Sequence, residues 1–530
     1  MKKSILIIAT IVCGGVAVYA QTAPKSSRIS KNLNIYTDVM RQLDMNYVDT
    51  LNYDDLTETA LTQMLRKIDP YTVYIPQRDD EDLKMMTTGK YGGIGAIIMQ
   101  RDSDVYISDP YFGMPAQRND VRAGDKIIRV DTMDCHKKTT KQVSEKLRGK
   151  PNTSLTLTLE REGETQPVIR TFERQEVHLP AVTYYCALPD TGLMAGKKKI
   201  GYILFSEFTA QSAQEFLVAV EKMVQEDHIG SLIIDLRNNG GGIIDEAIQM
   251  VSYFVDKGTT VVTTRGKIDA ANRSYDTRTS PIYKNMPLAV IVNGQSASAA
   301  EIVSGSLQDL KRATLIGTRT FGKGLVQSIR PIAYDGHLKV TTAHYYLPSG
   351  RCIQAIDYSE RQKGNALKKD TAGGILPDIV MDDSDKVDIS YSLFRKNMFF
   401  DYATRYRRMH DSIAPADQFE LNDKDIEDFI AFLDEKKFTY ETETGHYLNE
   451  LINMAKHEDL DSTAMALFDS LKVRLTPPYR EAVWRHKDNV KMMLGEEIVG
   501  RYWFQQGKVA YILRSDKELK KAIEILSGKQ

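Results

Sequence analysis

Cysteine, tryptophan and net charge are all scarce in this chain. Of 530 residues four are cysteine and two tryptophan, and 70 Lys and Arg face 71 Asp and Glu, a formal net charge of −1. That balance leaves no electrostatic footprint for nucleic acid or for an anionic membrane surface. Beyond the N-terminal Cys13, the cysteines Cys135, Cys186 and Cys352 are far apart and odd in number. No disulfide framework can be inferred from them; one pair with a free thiol, or none, both remain open. No cysteine has a metal-ligand spacing, the nine histidines are scattered, and there is no HExxH. These absences argue against a metal enzyme and call for no cofactor. Repeats, low-complexity tracts and a GxSxG elbow are missing too.

What is present is an ordinary globular composition, 42% hydrophobic and 27% charged, in a chain long enough for three or four domains at roughly 100–200 residues each. The first twenty residues, "MKKSILIIATIVCGGVAVYA", combine Lys2 and Lys3, a short apolar run and a small-residue end at Ala20. This reads as a secretory signal peptide, too short for a comfortable membrane span. The expectation is a periplasmic protein if the source is Gram-negative; an uncleaved anchor would hold it at the periplasmic face of the inner membrane.

Residues 21–85 show apolar residues at helical spacing, with Asp54 and Asp55 as cap candidates and "DP" as a stop. From 86 to 178 the pattern changes to short strands and turns, "IGAIIMQ", "VYISDP", "DKIIRVDTM" and "SLTLTLERE", with a helix "TKQVSEKLRGK" closed by Gly149. Opened by the loop "GGIGA", this segment resembles a PDZ domain. Successive N–H groups in such a loop can hold a carboxylate, and the adjoining strand edge can take a peptide as an extra strand. Gly93, Ile94, Gly95 and Ala96 are the candidate contacts. From 179 to 385, "SLIIDL" and "LAVIVN" are runs of the kind buried on both faces, each passing through small residues into a helix, an α/β layout. Residues 386–530 read as helical and carry no interpretable motif.

Two loops lie where a buried strand meets a helix, a favoured place for a site. In "DLRNNGGG" the glycines let backbone N–H groups approach a substrate; in "NGQSASAAE" a serine hydroxyl lies near the positive end of a helix dipole. Alone, the first is more often a turn and the second an N-cap. Downstream, "TFGKGLVQ" places Lys323 between two glycines. A lysine becomes a base only when desolvation lowers its pKa; about three units correspond to roughly 4 kcal/mol. It can then take a serine proton. Spacing does not choose between Ser296 and Ser298.

The segment "SASAAEIVSGSLQDLKRATLIGTRTFGKGLVQ" resembles the catalytic segment of the C-terminal processing peptidases, or tail-specific proteases. "IDPYTVYI", "GKYGGIGA", "GMPAQRNDVRAGDKIIRVD", "GYILFSEF", "DLRNNGGG", "TTAHYYLPSGRCIQ" and "GILPDIV" are similar to that family's motifs in the same order, over about residues 30–382. The resemblance implies an α/β crotonase-like core with an inserted PDZ domain and helical N- and C-terminal regions. It also implies an ATP-independent serine endopeptidase whose partners are proteins with free C-termini. By position it puts the nucleophile on Ser298, the base on Lys323 and the lysine-orienting group on Gln327. The oxyanion donors fall on the N–H groups of Ala299 and of a glycine of the loop, Gly241 in preference to Gly242. Rival readings are a catalytically silent peptide-binding or chaperone-like protein and, further off, acyl-CoA chemistry.

Overall fold

The computed structural model describes residues 25–189, 198–359, 368–369, 373–381, 388–440, 442–458, 462–475 and 478–528. The expected signal peptide lies outside them. The chain divides into two compact units, Met1–Pro70 and Tyr71–Gln530. The first holds helices Lys25–Asn46 and Tyr53–Arg66, tied by Tyr53 Oη donating to Asp44 at 2.7 Å. The second helix is capped by Asn52, whose side chain accepts from the N–H groups of Asp54 and Asp55. The two aspartates therefore occupy the first turn, where their charge faces the positive end of the dipole.

In the second unit a six-stranded sheet runs Val182–Ala187, Lys199–Phe205, Ile229–Asp235, Leu288–Val292, Thr314–Gly317, Ile379–Val380. Only the first pair is antiparallel. Side chains alternate between two apolar layers. Leu232, Ile234, Val290 and Val292 pack with residues of helices Ser212–Glu226, Ile244–Ser252 and Ala299–Asp309. Ile233, Ala289 and Ile291 pack with Leu519, Ala522 and Ile523 of helix Lys517–Leu526. Burial on both faces explains why these strands read as unbroken apolar runs.

A second, antiparallel sheet is built on the long strand His337–Tyr346. This strand pairs with Leu325–Pro331, Thr260–Gly266 and the short strand Val73–Ile75. Val73–Ile75 falls in what the sequence analysis placed in the N-terminal helical segment; three residues are too few for a period to be read.

The expected PDZ strands form as Ala96–Arg101, Asp104–Pro110, Lys126–Val130 and Ser154–Glu160, with Val168–Glu173 and the short Met133–Asp134 completing the sheet. Helix Thr140–Leu147 starts on a Thr139–Gln142 capping box. Beyond 387 the described residues form helices and short connections. The run "SYSLFRKNMFFDYATRYRRM" is two helices, Asp388–Arg395 and Met398–Met409, broken where Asn397 turns left-handed. Among the described residues no helix is long and apolar enough to cross a membrane.

Candidate active site

The loop after strand Leu288–Val292 brings two serines to the start of helix Ala299–Asp309 in different states. Ser296 is fully buried; its Oγ donates to Leu236 O at 2.7 Å and accepts from Asn293 N at 2.9 Å. It ties this loop to the glycine loop. Ser298 is half-buried at the helix N-cap with φ 57° and ψ −116°, a conformation costing a non-glycine residue about 1–3 kcal/mol.

Two buried side chains fasten Ser298 to the segment carrying Lys323. Glu301 Oε2 accepts the backbone N–H of Ser298 and that of Lys323, both at 2.9 Å. Its Oε1 accepts from Thr320 Oγ1 at 2.6 Å and Gly322 N at 2.7 Å. Burial raises the Glu301 carboxyl above its usual range, and these four donors oppose the rise. On the carbonyl side, Tyr345 Oη donates to Ser298 O at 3.1 Å and to Lys323 O. Both Glu301 and Tyr345 are almost wholly excluded from solvent. The serine and lysine segments are thus registered through their backbones. The Lys323 amine stands 4.8 Å from the centroid of the Tyr71 ring.

The glycine loop reaches the same point. A Cβ built on Gly241, at φ 97°, would lie 2.7 Å from Ser298 Cβ and 2.8 Å from Ala299 N; no other residue type fits so close. Asn239 O accepts from Ala297 N at 2.9 Å, and Asn239 Oδ1 accepts from Gly241 N at 2.8 Å. The Gly241 N–H is therefore engaged inside its own loop in this conformation. No acceptor among the described residues takes the N–H of Ala299, Gly240 or Gly242. Gln327, on strand Leu325–Pro331, donates from Nε2 to Leu325 O at 3.2 Å and to Thr341 Oγ1 at 3.4 Å.

The comparisons with known proteins fall on the same elements. Residues 199–381 match peptidase family S41, 106–161 a PDZ domain, and 389–526 the family described as "Probable PDZ-protease, C-terminal helical domain". The carboxy-terminal-processing protease of Bartonella bacilliformis is 31% identical over 388 residues, spanning 72% of this chain and 83% of that protein. The chain belongs to the C-terminal processing peptidases of family S41. A probable CtpA-like serine protease of Staphylococcus aureus is 33% identical over 359 residues, 66% of this chain and 69% of its own length. A solved photosystem II D1 C-terminal processing protease is 27% identical, covers 63% of this chain and 84% of its own, and superposes with a TM-score of 0.37.

The PDZ candidates of this peptidase are placed differently from one another. Ile94 is buried in the PDZ core. Its carbonyl accepts from Ala116 N at 2.8 Å, and the Gly95 carbonyl accepts from Tyr111 N at 2.9 Å. Gly95 has φ 70°, and a Cβ there would strike Met114. Gly93 pairs with Gln175 and Ala96 with Pro110. Among the described residues strand Ala96–Arg101 pairs only with Asp104–Pro110, so its other edge is open in the sheet and can take an added strand. Gln100 Oε1 accepts from Thr140 N at 3.0 Å, joining that strand to helix Thr140–Leu147.

Sequence reasoning missed Glu301 and Tyr345. A signal for the first existed, since "SAAE" is the S-x-x-E pattern of a capping box. Tyr345 lay within a quoted motif with nothing to distinguish it from its neighbour Tyr346.

Proposed function

We propose that this peptidase is an exported, ATP-independent serine endopeptidase that takes the C-terminal end of a protein at its PDZ domain and cleaves through an acyl-enzyme on Ser298. The fold assigned to its catalytic body is crotonase-like, with the helix-end loops of the parallel sheet forming the site. Ser298 Oγ attacks the scissile carbonyl while Lys323 Nζ, as the neutral amine, takes the hydroxyl proton. That proton then goes to the departing amine, and water, deprotonated by the same lysine, releases the acyl group. Gln327 orients the lysine. The developing oxyanion is received by the N–H of Ala299 and by the glycine loop, where Gly241 serves once its bond to Asn239 is given up. Export rests on the N-terminal run after Lys2 and Lys3. The PDZ contacts would be Gly93, Ile94 and Gly95 in the loop that leads to the open-edged strand, and Ala96 at the start of that strand.

The observation carrying this reading is the Glu301 carboxylate, which accepts from the backbone of Ser298 and of Lys323 at once. A buried carboxyl joining those two segments serves a site in which their side chains act together. Full commitment of Ser296 Oγ to backbone partners supports Ser298 over it. The test is cleavage of an unfolded protein by Ser298→Ala and Lys323→Ala variants. Both are expected to be inactive while folded; wild-type rates in either refute the pair.

A further inference from the structure

The glycine loop is held from behind as well as from the nucleophile side. Arg237 lies two residues before Asn239, and its guanidinium joins three carboxylates. Nε donates to Asp235 Oδ1 and Oδ2 at 3.0 Å each, Nη2 reaches Asp235 Oδ2 and Asp516 Oδ2 at 2.5 Å each, and Nη1 reaches Glu518 Oε2 at 3.4 Å. The side chains of Asp235 and Asp516 are 1% and 3% exposed. Asp235 also accepts from Tyr202 Oη at 2.7 Å. These are dry charges whose mutual satisfaction decides whether the cluster is stable.

Asp516 and Glu518 belong to the C-terminal helical region, to which neither the motifs nor the comparisons give a task. Asp516 caps helix Lys517–Leu526 with its other oxygen, Oδ1 accepting from Leu519 N at 2.8 Å. Leu519, Ala522 and Ile523 seat that helix on the parallel sheet. The carboxylate facing Arg237 is thus fixed by a helix end and an apolar contact together.

From Arg237 the restraint runs on into the loop. Asn238 and Asn293 exchange hydrogen bonds, Asn238 N and Asn293 Nδ2 donating at 3.0 Å each. Asn239 Nδ2 donates to Phe205 O at 2.8 Å, and Asn239 O receives Ala297 N at 2.9 Å, next to Ser298. Beside these residues is a cavity of about 350 Å³ lined by Arg237, Asn238, Asn293, Thr318, Asp516 and Glu518. The ion cluster forms one wall of that cavity beside the loop, and Leu204, Val509 and Leu513 line it as well.

We infer that Asp516, assisted by Glu518, is a positioning residue for the oxyanion loop, so that the C-terminal helical region completes the active site through Arg237. The inference rests on the Ser298 reading. With the clamp gone, Arg237 keeps only Asp235 of its own strand, and the loop N–H groups lose their aim at a carbonyl bound over Ser298. A positional error of about 1 Å at such donors can cost about a hundredfold in rate.

The test uses the full-length protein. Asn also caps helices well, so Asp516→Asn keeps the cap and removes the charge. Paired with Glu518→Gln, it is expected to lower kcat tenfold or more on a peptide substrate, with KM within twofold. Labelling by a fluorophosphonate serine reagent should slow in parallel. Asp516→Glu should recover part of the rate, and Glu524→Gln, on the exposed Lys521–Glu524 pair, should leave it unchanged. Wild-type kcat in the folded double variant overturns the clamp, as does a fall in kcat that only tracks loss of folded protein by circular dichroism. If Ser298→Ala remains active, the underlying reading fails; if it is inactive while the Asp516 variants are unimpaired, only the clamp fails.

Discussion

On the parallel sheet the C-terminal helices bury Leu519, Ala522 and Ile523 against Ile200, Tyr202, Ile233, Ala289, Ile291 and Ile316, and Arg237 is surrounded by carboxylates. On the PDZ domain the same region makes a contact of another kind. Arg101 forms a bidentate pair with Asp401 at 2.6 and 2.9 Å, Lys508 stands 3.9 Å from Asp109, and the Phe112 and Phe504 rings are 5.3 Å apart. A cavity of about 420 Å³ opens between the two domains. The Arg501 side chain is 4% exposed, and its Nε meets no acceptor among the described residues. The difference teaches that the helical region is anchored in the peptidase body, while its hold on the PDZ domain is polar, incompletely satisfied and the easier of the two to separate.

Breaking the anchored side should have the largest effect. Arg237→Ala leaves Asp235 and Asp516 buried without their cation and should destabilise the protein by about 3–5 kcal/mol, read as a fall in the denaturation midpoint, with activity lost.

On the PDZ side, burial pushes the Asp109 carboxyl up to about 6, with Lys508 and Arg501 opposing and Glu497 adding to the rise. A carboxyl whose folded pKa exceeds its unfolded value destabilises the fold when ionised. This contribution to stability is therefore full below about pH 4 and is lost as pH rises through 6. Asp109→Asn should gain roughly 2–3 kcal/mol at pH 7 and flatten the denaturation midpoint between pH 4 and 7; an unaltered slope would place the titration elsewhere.

Arg101→Ala should cost about 2 kcal/mol and raise hydrogen exchange along Ala96–Arg101, while kcat on a short peptide stays within twofold. If kcat collapses instead, the PDZ contact is as much part of the active site as the sheet contact, and the distinction fails. The smallest change is expected at Phe504, which has φ 54° and ψ −157° inside helix Lys487–Leu513. Phe504→Gly relieves about 1–3 kcal/mol of strain and loses a ring pair worth about 1 kcal/mol. The midpoint should move only slightly.

The apolar runs "SLIIDL" and "LAVIVN" announced buried strands because alternate side chains feed two cores, and the small residues after them marked helix starts. Gly241 was readable as a close approach, though not the bond that occupies its N–H. Glu301 was passed over because a carboxyl in an apolar helix reads as surface unless its S-x-x-E capping position is given weight. The Arg237–Asp516 pair joins residues 279 positions apart, a separation no local pattern reports.

That separation also orders events in time. Ser298 and Lys323 are 25 positions apart, and Tyr345, which joins their carbonyls, follows 22 positions later. Arg237 must wait for Asp516 to be synthesised and docked. A chain made from its N-terminus thus has Ser298 and Lys323 in hand well before the carboxylate that meets Arg237. The brace behind the glycine loop is thus among the last long-range contacts that the chain can make.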